Sequence, residues 1–312
     1  MTKKPLVILT GPTAVGKTAL SIKLAKAING EIISADSMQV YRRMDIGTAK
    51  ITSEEMDGVP HHLIDVLEPS EDFNVFLFKE MAQRCINEIY GRGHVPIIAG
   101  GTGFYIQALL YDVDFEESDA DEAYREEIRR IALEKGNGYV HDMLEQVDPE
   151  AAARIHFNNL KRMTRALEYY RLTGKKISGH NEEQKTNESP YDFAYFVLTD
   201  DRERLYNRID LRVDKMVEEG LVDEVKSLVA EGLGENNISM KAIGYREILE
   251  YLDGKVELSK AIDNIKLDTR HFAKRQMTWF RRERTVTMID KNDFADEDAI
   301  LEYMINYLGA IL

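Results

Sequence analysis

The segment Gly11-Pro-Thr-Ala-Val-Gly-Lys-Thr18 decides the fold, because it fits the phosphate-binding pattern G-x-x-x-x-G-K-[ST]. It follows an apolar run at residues 6–10, typical of a buried parallel strand, and it opens a helical pattern at residues 17–28. In that context backbone N–H groups surround phosphate oxygens, and the helix N-terminus and Lys17 add positive charge. The Thr18 hydroxyl can bind Mg²⁺. We therefore predict a cradle for a di- or triphosphate, formed by Gly11, Pro12, Thr13, Ala14, Val15, Gly16, Lys17 and Thr18.

Further strands and helices follow at the spacing of a parallel sheet. Apolar runs at residues 31–36 and 95–99 predict two more strands. Between them, residues 73–90 predict an amphipathic helix whose apolar face carries Leu77, Met81, Cys85 and Ile89 at i+4 steps. Strand-like runs at 194–198 and 286–290 indicate a later return to the sheet. We expect an α/β fold of the P-loop NTPase type, with a parallel sheet core and helices on both faces.

The composition changes after Tyr111. Residues 112–127 contain nine acids and a single base, Arg125. A polar, helix-rich stretch continues to about residue 176, and residues 179–190 have the composition of a linker. We therefore predict a discontinuous catalytic core, residues 1–115 and 190–312, interrupted by a helical insertion domain at residues 116–189.

The bulk composition excludes several classes of protein. The 312 residues are 44% hydrophobic and 31% charged, as in an ordinary globular protein. One cysteine, Cys85, cannot form a disulfide framework or a Cys-rich zinc module. The N-terminal residues lack the features of a secretory signal, and no apolar run approaches the roughly 20 residues that span a bilayer. We expect a cytoplasmic protein with no membrane partner.

Two basic segments stand out against a formal net charge of −14. One holds Lys161, Arg162 and Arg165 at helical spacing. In the other, residues 270–284, aromatic side chains alternate with six bases and one acid; the bases are Arg270, Lys274, Arg275, Arg281, Arg282 and Arg284. Charge runs are usually solvated helix faces. This density of bases in an acidic chain instead favours a patch that binds a nucleic-acid backbone.

Two more features belong at the edge where the parallel strands end. Asp36 ends the second strand, and its role remains open between an outer-sphere Mg²⁺ partner or cap and a general base that faces a phosphate donor. Gly100-Gly-Thr-Gly103 follows the third strand and predicts a second glycine turn, for which a simple strand-to-helix turn is the plainer interpretation. The seven histidines lack metal-ligand spacing, and we interpret them as structural or surface residues.

Several stretches, in order over nearly the whole chain, resemble the family of tRNA dimethylallyltransferases (tRNA isopentenyltransferases) of bacterial type. Those around Asp36 and Asp45 are specific to that family rather than to P-loop proteins in general. The matching stretches are residues 11–18, Ser34-Ala-Asp-Ser-Met-Gln-Val-Tyr41, Met44-Asp-Ile-Gly-Thr-Ala-Lys50, Pro60-His-His-Leu-Ile-Asp65, Gly100-Gly-Thr-Gly-Phe-Tyr105, Arg165-Ala-Leu-Glu168, residues 208–221, Ile243-Gly-Tyr-Arg-Glu247 and residues 270–282.

The resemblance implies transfer of a dimethylallyl group from dimethylallyl diphosphate to the N6 amine of the adenine 3′-adjacent to the anticodon in tRNA, with Mg²⁺ as cofactor. It implies catalytic roles for Lys17, for Asp36 as the base, and for Thr102 at the meeting of adenine and donor. Arg165, Arg208 and Arg212 are implied as further ligands of the diphosphate or of nearby RNA phosphates. For Arg208 and Arg212, a structural ion pair is the alternative.

The resemblance also implies that the insertion clamps the anticodon stem-loop of tRNA. The implied tRNA-binding residues are Asp36, Ser37, Met38, Gln39, Thr102, Arg125, Lys161, Arg162, Arg165, Arg270, Lys274, Arg275, Arg281 and Arg282. We expect a monomer that requires no protein partner.

Three alternatives share parts of this pattern. A small-molecule P-loop kinase would use residues 11–18 and could deprotonate a hydroxyl with Asp36, but the length, the insertion and the basic helix count against a compact kinase. A prenyltransferase that acts on free adenine nucleotides would need no RNA clamp. The third is a nucleotide-dependent binding protein without catalysis.

Overall fold

The computed structural model describes residues 3–113, 121–184, 186–309 and 311–312. The chain divides into two compact units, one formed by Met1–Leu110 with Pro190–Leu312 and the other by Tyr111–Ser189. The boundary predicted between residues 115 and 116 lies outside the described residues.

The first unit is built on a parallel sheet. Its strands are β1 (Lys4–Thr10), β2 (Gly30–Ala35), β3 (His61–His62), β4 (Val95–Gly100), β5 (Tyr191–Thr199) and β6 (Thr287–Asp290). Their order in the sheet is β3-β2-β4-β1-β5-β6, and every pairing is parallel. After the insertion the chain thus returns as β5 directly beside β1, which confirms the predicted α/β fold.

Helices connect the strands and form the second unit. In chain order they are α1 (Lys17–Ile28), α2 (Val75–Gly91), α3 (Gly103–Leu110), α4 (Glu122–Lys135), α5 (Asn137–Val147), α6 (Pro149–Arg154), α7 (Leu160–Thr173), α8 (Ile177–Gln184), α9 (Arg202–Glu218), α10 (Leu221–Ala230), α11 (Tyr245–Leu252), α12 (Leu258–Phe280) and α13 (Glu297–Leu308). Of these, α4 to α8 belong to the second unit. In the described part of the chain, every helix is too short or too polar to cross a membrane.

Both faces of the sheet are buried. Val7 and Leu9 of β1 pack in one core with Leu20 and Leu24 of α1 and Met304 of α13. Since side chains alternate along a strand, Leu6 and Ile8 point to the opposite face, and they are equally inaccessible to solvent. This two-sided burial explains why the strands read as continuous apolar runs rather than as alternating ones.

Helix α2 buries a face next to the predicted one, and of the predicted series only Ile89 is fully buried. Its buried residues are Phe78, Ala82, Ile86 and Ile89, whereas Leu77, Met81 and Cys85 are only half-buried. The two apolar series are neighbours on the helix, so the pattern alone does not choose between them. Packing does, because the Phe78 ring stacks on Tyr105 of α3 at 4.9 Å between centroids.

The second unit has its own apolar core. Ile128 of α4, Val140 and Leu144 of α5, and Met163 and Leu167 of α7 are its central buried residues. The buried carboxylate of Asp148 caps α6 through Ala151 N and also accepts hydrogen bonds from Ser178 of α8. A short helical bundle with its own apolar core is therefore inserted between α3 and β5.

Candidate active site

Three strand ends meet at one edge of the sheet. Thr10 at the end of β1 and Ala35 at the end of β2 both pair in register with Gly100 at the end of β4. The Thr10 hydroxyl donates to the Gly100 carbonyl at 2.6 Å, and Thr102 N donates to the Ala35 carbonyl at 3.1 Å. The three segments that follow these strands are therefore neighbours, as expected where parallel strands end.

The phosphate cradle has the geometry of an anion site. Gly16 adopts a φ of 101°, a left-handed conformation that favours glycine, and it caps α1 without a side-chain hydrogen bond. The first amides of α1 therefore keep their capacity to bind an anion. Lys17 Nζ folds back to donate to the carbonyls of Gly11, at 3.0 Å, and Pro12, at 2.8 Å.

A cavity of about 460 Å³ opens in front of the cradle. It collects residues from the three strand ends, from the loop between β2 and β3, and from α9 and α12. Among the predicted site residues, its lining includes Thr13, Ala14, Gly16, Lys17, Thr18, Asp36, Gln39 and Arg212. Further lining residues that were not predicted include Thr48, Ala49, Glu55, His61, Gly101, Phe272 and Gln276.

Two cations, Lys17 and Arg212, share this cavity. Burial lowers the pKa of Lys17 to about 8, the nearby charge of Arg212 lowers it too, and the Asp36 carboxylate opposes both effects. Desolvation by the surrounding protein likewise lowers the pKa of Arg212. The positive charge of Arg208 lowers it further, and the negative charge of Glu55 raises it. Within the described ranges, Arg212 has no hydrogen-bonded or ion-pair partner, although it is open to the cavity. Mutually repelling cations of this kind are stabilised by an anion.

Asp36 organises the turn that follows β2. Its Oδ1 accepts hydrogen bonds from Met38 N at 2.8 Å and from Gln39 N at 3.4 Å. This arrangement fixes the carboxylate at the cavity wall. Ser37 and Met38 lie on the same turn, while Gln39 reaches the cavity. The Gln39 amide is used within the protein, since Nε2 donates to the carbonyls of Thr48 and Ala49, both at 3.3 Å.

The loop that supplies Thr48 and Ala49 is anchored from behind by Glu224 of α10. The Glu224 carboxylate accepts hydrogen bonds from three consecutive amides, Asp45 N at 2.9 Å, Ile46 N at 2.8 Å and Gly47 N at 3.1 Å. Tyr245 also donates its hydroxyl to Glu224. A Cβ at Gly47 would lie 2.4 Å from the Tyr245 ring, so this close approach requires glycine.

Helix α12 closes the cavity through Gln276. Its Oε1 accepts from Thr13 N in the P-loop at 2.9 Å, and its Nε2 donates to the Gly101 carbonyl at 3.0 Å. One turn further on, the Trp279 ring packs on Gly103, where a Cβ would lie only 2.3 Å from the ring. The glycine turn after β4 is therefore a docking surface for α12.

The structure separates the two arginines of α9. Arg208 forms an ion pair with Asp200, whereas Arg212 lines the cavity. On α12, Arg270 pairs with Asp210 at 2.7 Å. Thr102 follows the cavity-lining residues Gly100 and Gly101 but does not itself line the cavity, and its amide donates to the Ala35 carbonyl at 3.1 Å.

The exposed face of α12 and the residues just after it form a basic surface. We call it the α12 basic face; its members are Lys274, Arg275, Arg281 and Arg282. None of the four forms an ion pair within the part of the chain that the structure describes. Lys274, Arg275 and Arg282 line a shallow groove together with Trp279.

The predicted bases of the second unit fall into two groups. Lys161 and Arg162 are exposed in the first turn of α7. Arg125 and Arg165 both pair with the fully buried Glu168, Arg125 through contacts of 2.8 and 3.0 Å and Arg165 at 3.3 Å. The first two are therefore free to meet a ligand, while the second two also support the fold of the unit.

The sequence contained one overlooked signal for the site. Ala273, Gln276 and Phe280 form the buried stripe of the last turns of α12, and Gln276 is the polar member of that stripe. A buried amide in such a position requires partners, which here are the two loops of the site. No sequence pattern predicts that Glu224 anchors the loop at residues 44–50, because its partners there are backbone amides far away in sequence.

Comparisons with known proteins match this geometry over nearly the whole chain. A model of the family described as IPP transferase matches residues 39–283. The tRNA dimethylallyltransferase of Lachnoclostridium phytofermentans is 59% identical over 305 residues, covering 98% of this chain and 97% of the relative. A full-length tRNA isopentenylpyrophosphate transferase from Bacillus halodurans superposes with a TM-score of 0.74 at 48% identity, covering 99% of this chain and 96% of that one. A eukaryotic dimethylallyltransferase acting on tRNA gives a TM-score of 0.82 at 30% identity, covering 98% of this chain and 80% of that one.

Proposed function

We infer that this chain, which belongs to the IPP transferase family, transfers a dimethylallyl group from dimethylallyl diphosphate to tRNA and releases diphosphate. The family predicted from the motifs is thereby confirmed. The observation that carries the assignment of the site is the shared cavity, which joins a phosphate cradle, two cations and one fixed carboxylate.

We propose that the P-loop holds the diphosphate of the donor. Charge accumulates on diphosphate as the carbon–oxygen bond breaks, so Lys17, Arg212 and the first amides of α1 stabilise the transition state more than the ground state. Burial and the charge of Arg212 lower the pKa of Lys17, and an anion bound between the two cations would offset both effects, which supports this role.

Asp36 is proposed as the base. The exocyclic N6 amine of adenine is a weak nucleophile, since its lone pair is delocalised into the ring. As N6 forms a bond to C1 of the dimethylallyl group, the C1–oxygen bond breaks, diphosphate leaves with the bonding electrons, and Asp36 takes the amine proton. The amides of Met38 and Gln39 hold Oδ1, and this contact orients the carboxylate.

Mg²⁺ is proposed to bind beside the cradle. The Thr18 hydroxyl and the Asp36 carboxylate line the same cavity, and such hard oxygen donors fit this ion. When bound with the donor, Mg²⁺ would neutralise charge on the departing diphosphate. Thr18 would hold the ion directly and Asp36 at most through water, which leaves Asp36 able to accept a proton.

The tRNA is proposed to contact the α12 basic face, Lys161 and Arg162. These side chains are exposed and suit phosphates of an anticodon stem-loop. The adenine 3′-adjacent to the anticodon would leave its stack to enter the cavity, at a cost of a few kcal/mol that is smaller in a loop than in a duplex.

Competition between donors and acceptors tests the function. The enzyme is incubated with labelled dimethylallyl diphosphate, Mg²⁺ and either unmodified tRNA or adenosine monophosphate, with and without excess ATP. We expect label in tRNA and no ATP turnover. Faster consumption of ATP with a small acceptor would establish a kinase instead, and preferred labelling of the free nucleotide would establish a nucleotide prenyltransferase.

A further inference from the structure

Gln276 joins the two loops that frame the proposed diphosphate site. It is 6% exposed and lies on the inner face of α12, where its amide makes one hydrogen bond to each loop. The nearest segments of the chain, around Thr13 and Gly101, are far from Gln276 in sequence. The contact is therefore a tertiary tie between α12, the P-loop and the glycine turn.

The tie determines which P-loop amides can bind a ligand. Thr13 N is occupied by Gln276 Oε1 at 2.9 Å, so this amide is directed at the helix rather than at a phosphate. The amides at the start of α1 remain for the anion. Fixing one side of a glycine-containing loop reduces the conformational freedom that binding would otherwise have to remove.

The other end of the amide requires a tight approach. A Cβ at Gly101 would lie 2.2 Å from Gln276 Nε2, so the amide can reach the Gly101 carbonyl only because residue 101 is glycine. Trp279 makes a similar approach to Gly103. Gln276 and Trp279, on consecutive turns of α12, thus contact Gly101 and Gly103, which have no side chains.

The same helix carries the proposed RNA-binding surface. Lys274 and Arg275 immediately precede Gln276 and are exposed on the outer side of α12. A helix of 23 residues, Leu258–Phe280, therefore presents bases outward and an amide inward within a single turn. A contact that holds α12 in place therefore also holds the Gln276 amide, which is hydrogen-bonded to the P-loop.

We propose that Gln276 is a positioning residue, which holds the P-loop in the conformation that binds the diphosphate of the donor. The proposal rests on the proposed function, because it takes the diphosphate to lie in this cavity. Gln276 acts through Thr13 and Gly101 and touches no reacting atom.

The test measures binding of inorganic diphosphate, with Mg²⁺, to the full-length protein by calorimetry. For Gln276→Met, which keeps the side-chain length and loses both hydrogen bonds, we expect at least about tenfold weaker binding, since each bond is worth a factor of several. The KM for dimethylallyl diphosphate should rise by a similar factor and the KM for tRNA should stay unchanged. Gln107→Met is the matched control, because that amide reaches Glu283 of the same helix region rather than the P-loop.

Gln276→Glu adds a pH signature that a general loss of stability would not produce. At about pH 8 the introduced carboxylate can accept from Thr13 N but cannot donate to Gly101, and it repels diphosphate. Burial and the facing Gly101 carbonyl should raise the pKa of this carboxyl above its ordinary value of about 4.3. Towards pH 5 the protonated form can then make both hydrogen bonds, so affinity relative to wild type should recover. Because diphosphate itself titrates, the affinity of Gln276→Glu is compared with that of the wild-type protein at the same pH.

Three outcomes are distinguishable. Weaker binding by Gln276→Met, with recovery of Gln276→Glu at low pH, supports the proposal. Unchanged diphosphate affinity in both variants, with a lower melting temperature, overturns it and leaves the proposed function intact. Failure of the wild-type protein to bind diphosphate overturns the proposed donor site and the role of Gln276 together.

Discussion

At the scale of single residues, the site depends on cations that have no anion of their own. Burial and the charge of Arg212 lower the pKa of Lys17, and burial and the charge of Arg208 lower the pKa of Arg212. The Asp36 carboxylate opposes the first shift and the Glu55 carboxylate the second, each only in part. This arrangement predicts how binding depends on pH.

Diphosphate binding should weaken as the pH rises through about 8, the value to which burial and Arg212 lower the pKa of Lys17. Binding favours the charged ammonium, so affinity should fall by up to about tenfold per pH unit above that pKa. In the unfolded chain Lys17 keeps its proton up to its ordinary pKa of 10.5, so the ligand-free fold should gain stability as the pH rises from about 8 towards 10.5. Calorimetry across pH checks this dependence. Lys17→Met keeps the pH dependence that comes from the titration of diphosphate and should lose the part that comes from Lys17. An equal pH dependence in both proteins would contradict the role of Lys17.

Replacing Asp36 separates its two roles. In Asp36→Asn the side-chain oxygen can still accept from Met38 N and Gln39 N, while the capacity to take a proton is lost. We expect kcat to fall by about 10²–10⁴-fold, with the melting temperature and tRNA affinity unchanged. Asp36→Ala removes the turn contacts as well and should also lower the melting temperature. Turnover of Asp36→Asn near the wild-type rate would exclude Asp36 as the base.

At the scale of elements, the loop at residues 44–50 connects α10 to the turn after β2 by hydrogen bonds. Three of its amides converge on Glu224, and its carbonyls hold Gln39 beside Asp36. The motif therefore joins α10 to the turn that carries the proposed base.

Glu224→Ala should lower both the stability of the protein and its kcat. Removing the carboxylate leaves the half-buried amides of Ile46 and Gly47 and the hydroxyl of the buried Tyr245 without this acceptor, which we expect to cost about 2–3 kcal/mol of unfolding free energy. Activity should fall further than the loss of folded protein explains, because Gln39 loses its support. Chemical denaturation and kcat measurements check both effects. Glu218→Ala, an exposed carboxylate on α9, is the control and should change neither.

The α12 basic face should determine the salt dependence of tRNA binding. Each of Lys274→Ala and Arg282→Ala is expected to lower the slope of log affinity against log salt by about one, with no change in the KM for dimethylallyl diphosphate. Filter binding over a series of salt concentrations measures the slope. Lys255→Ala removes an exposed lysine that is paired with Glu235 and should leave the slope unchanged. Equal slopes for all variants would place the tRNA elsewhere.

Sequence patterns could predict the elements whose signals are local. Helix α1 begins at Lys17 and ends at Ile28 as its spacing predicts, and the apolar runs became parallel strands. The buried face of α2 could not be chosen, because two adjacent apolar series compete and only the contact with Tyr105 decides. Gln276 was missed because its partners, Thr13 and Gly101, are brought to it by the tertiary fold.

At the scale of the whole molecule, the cavity is formed within one of the two units of the chain. The first unit contains every residue that lines the cavity, and the second unit is a helical bundle with its own core. The three strand ends of the site, those of β1, β2 and β4, precede the insertion between α3 and β5, whereas Arg212 of α9 and Gln276 of α12 follow it. This organisation fits an enzyme whose small donor needs one cavity and whose large acceptor needs a wider surface.

The most direct test of the central claim is the position of the transferred group. Unmodified tRNA is treated with the enzyme, labelled dimethylallyl diphosphate and Mg²⁺, then digested and analysed by mass spectrometry. We predict one dimethylallyl group per tRNA, on N6 of the adenine 3′-adjacent to the anticodon, with one diphosphate released for each group transferred. Label on another nucleotide, or diphosphate release without labelled tRNA, would contradict the account.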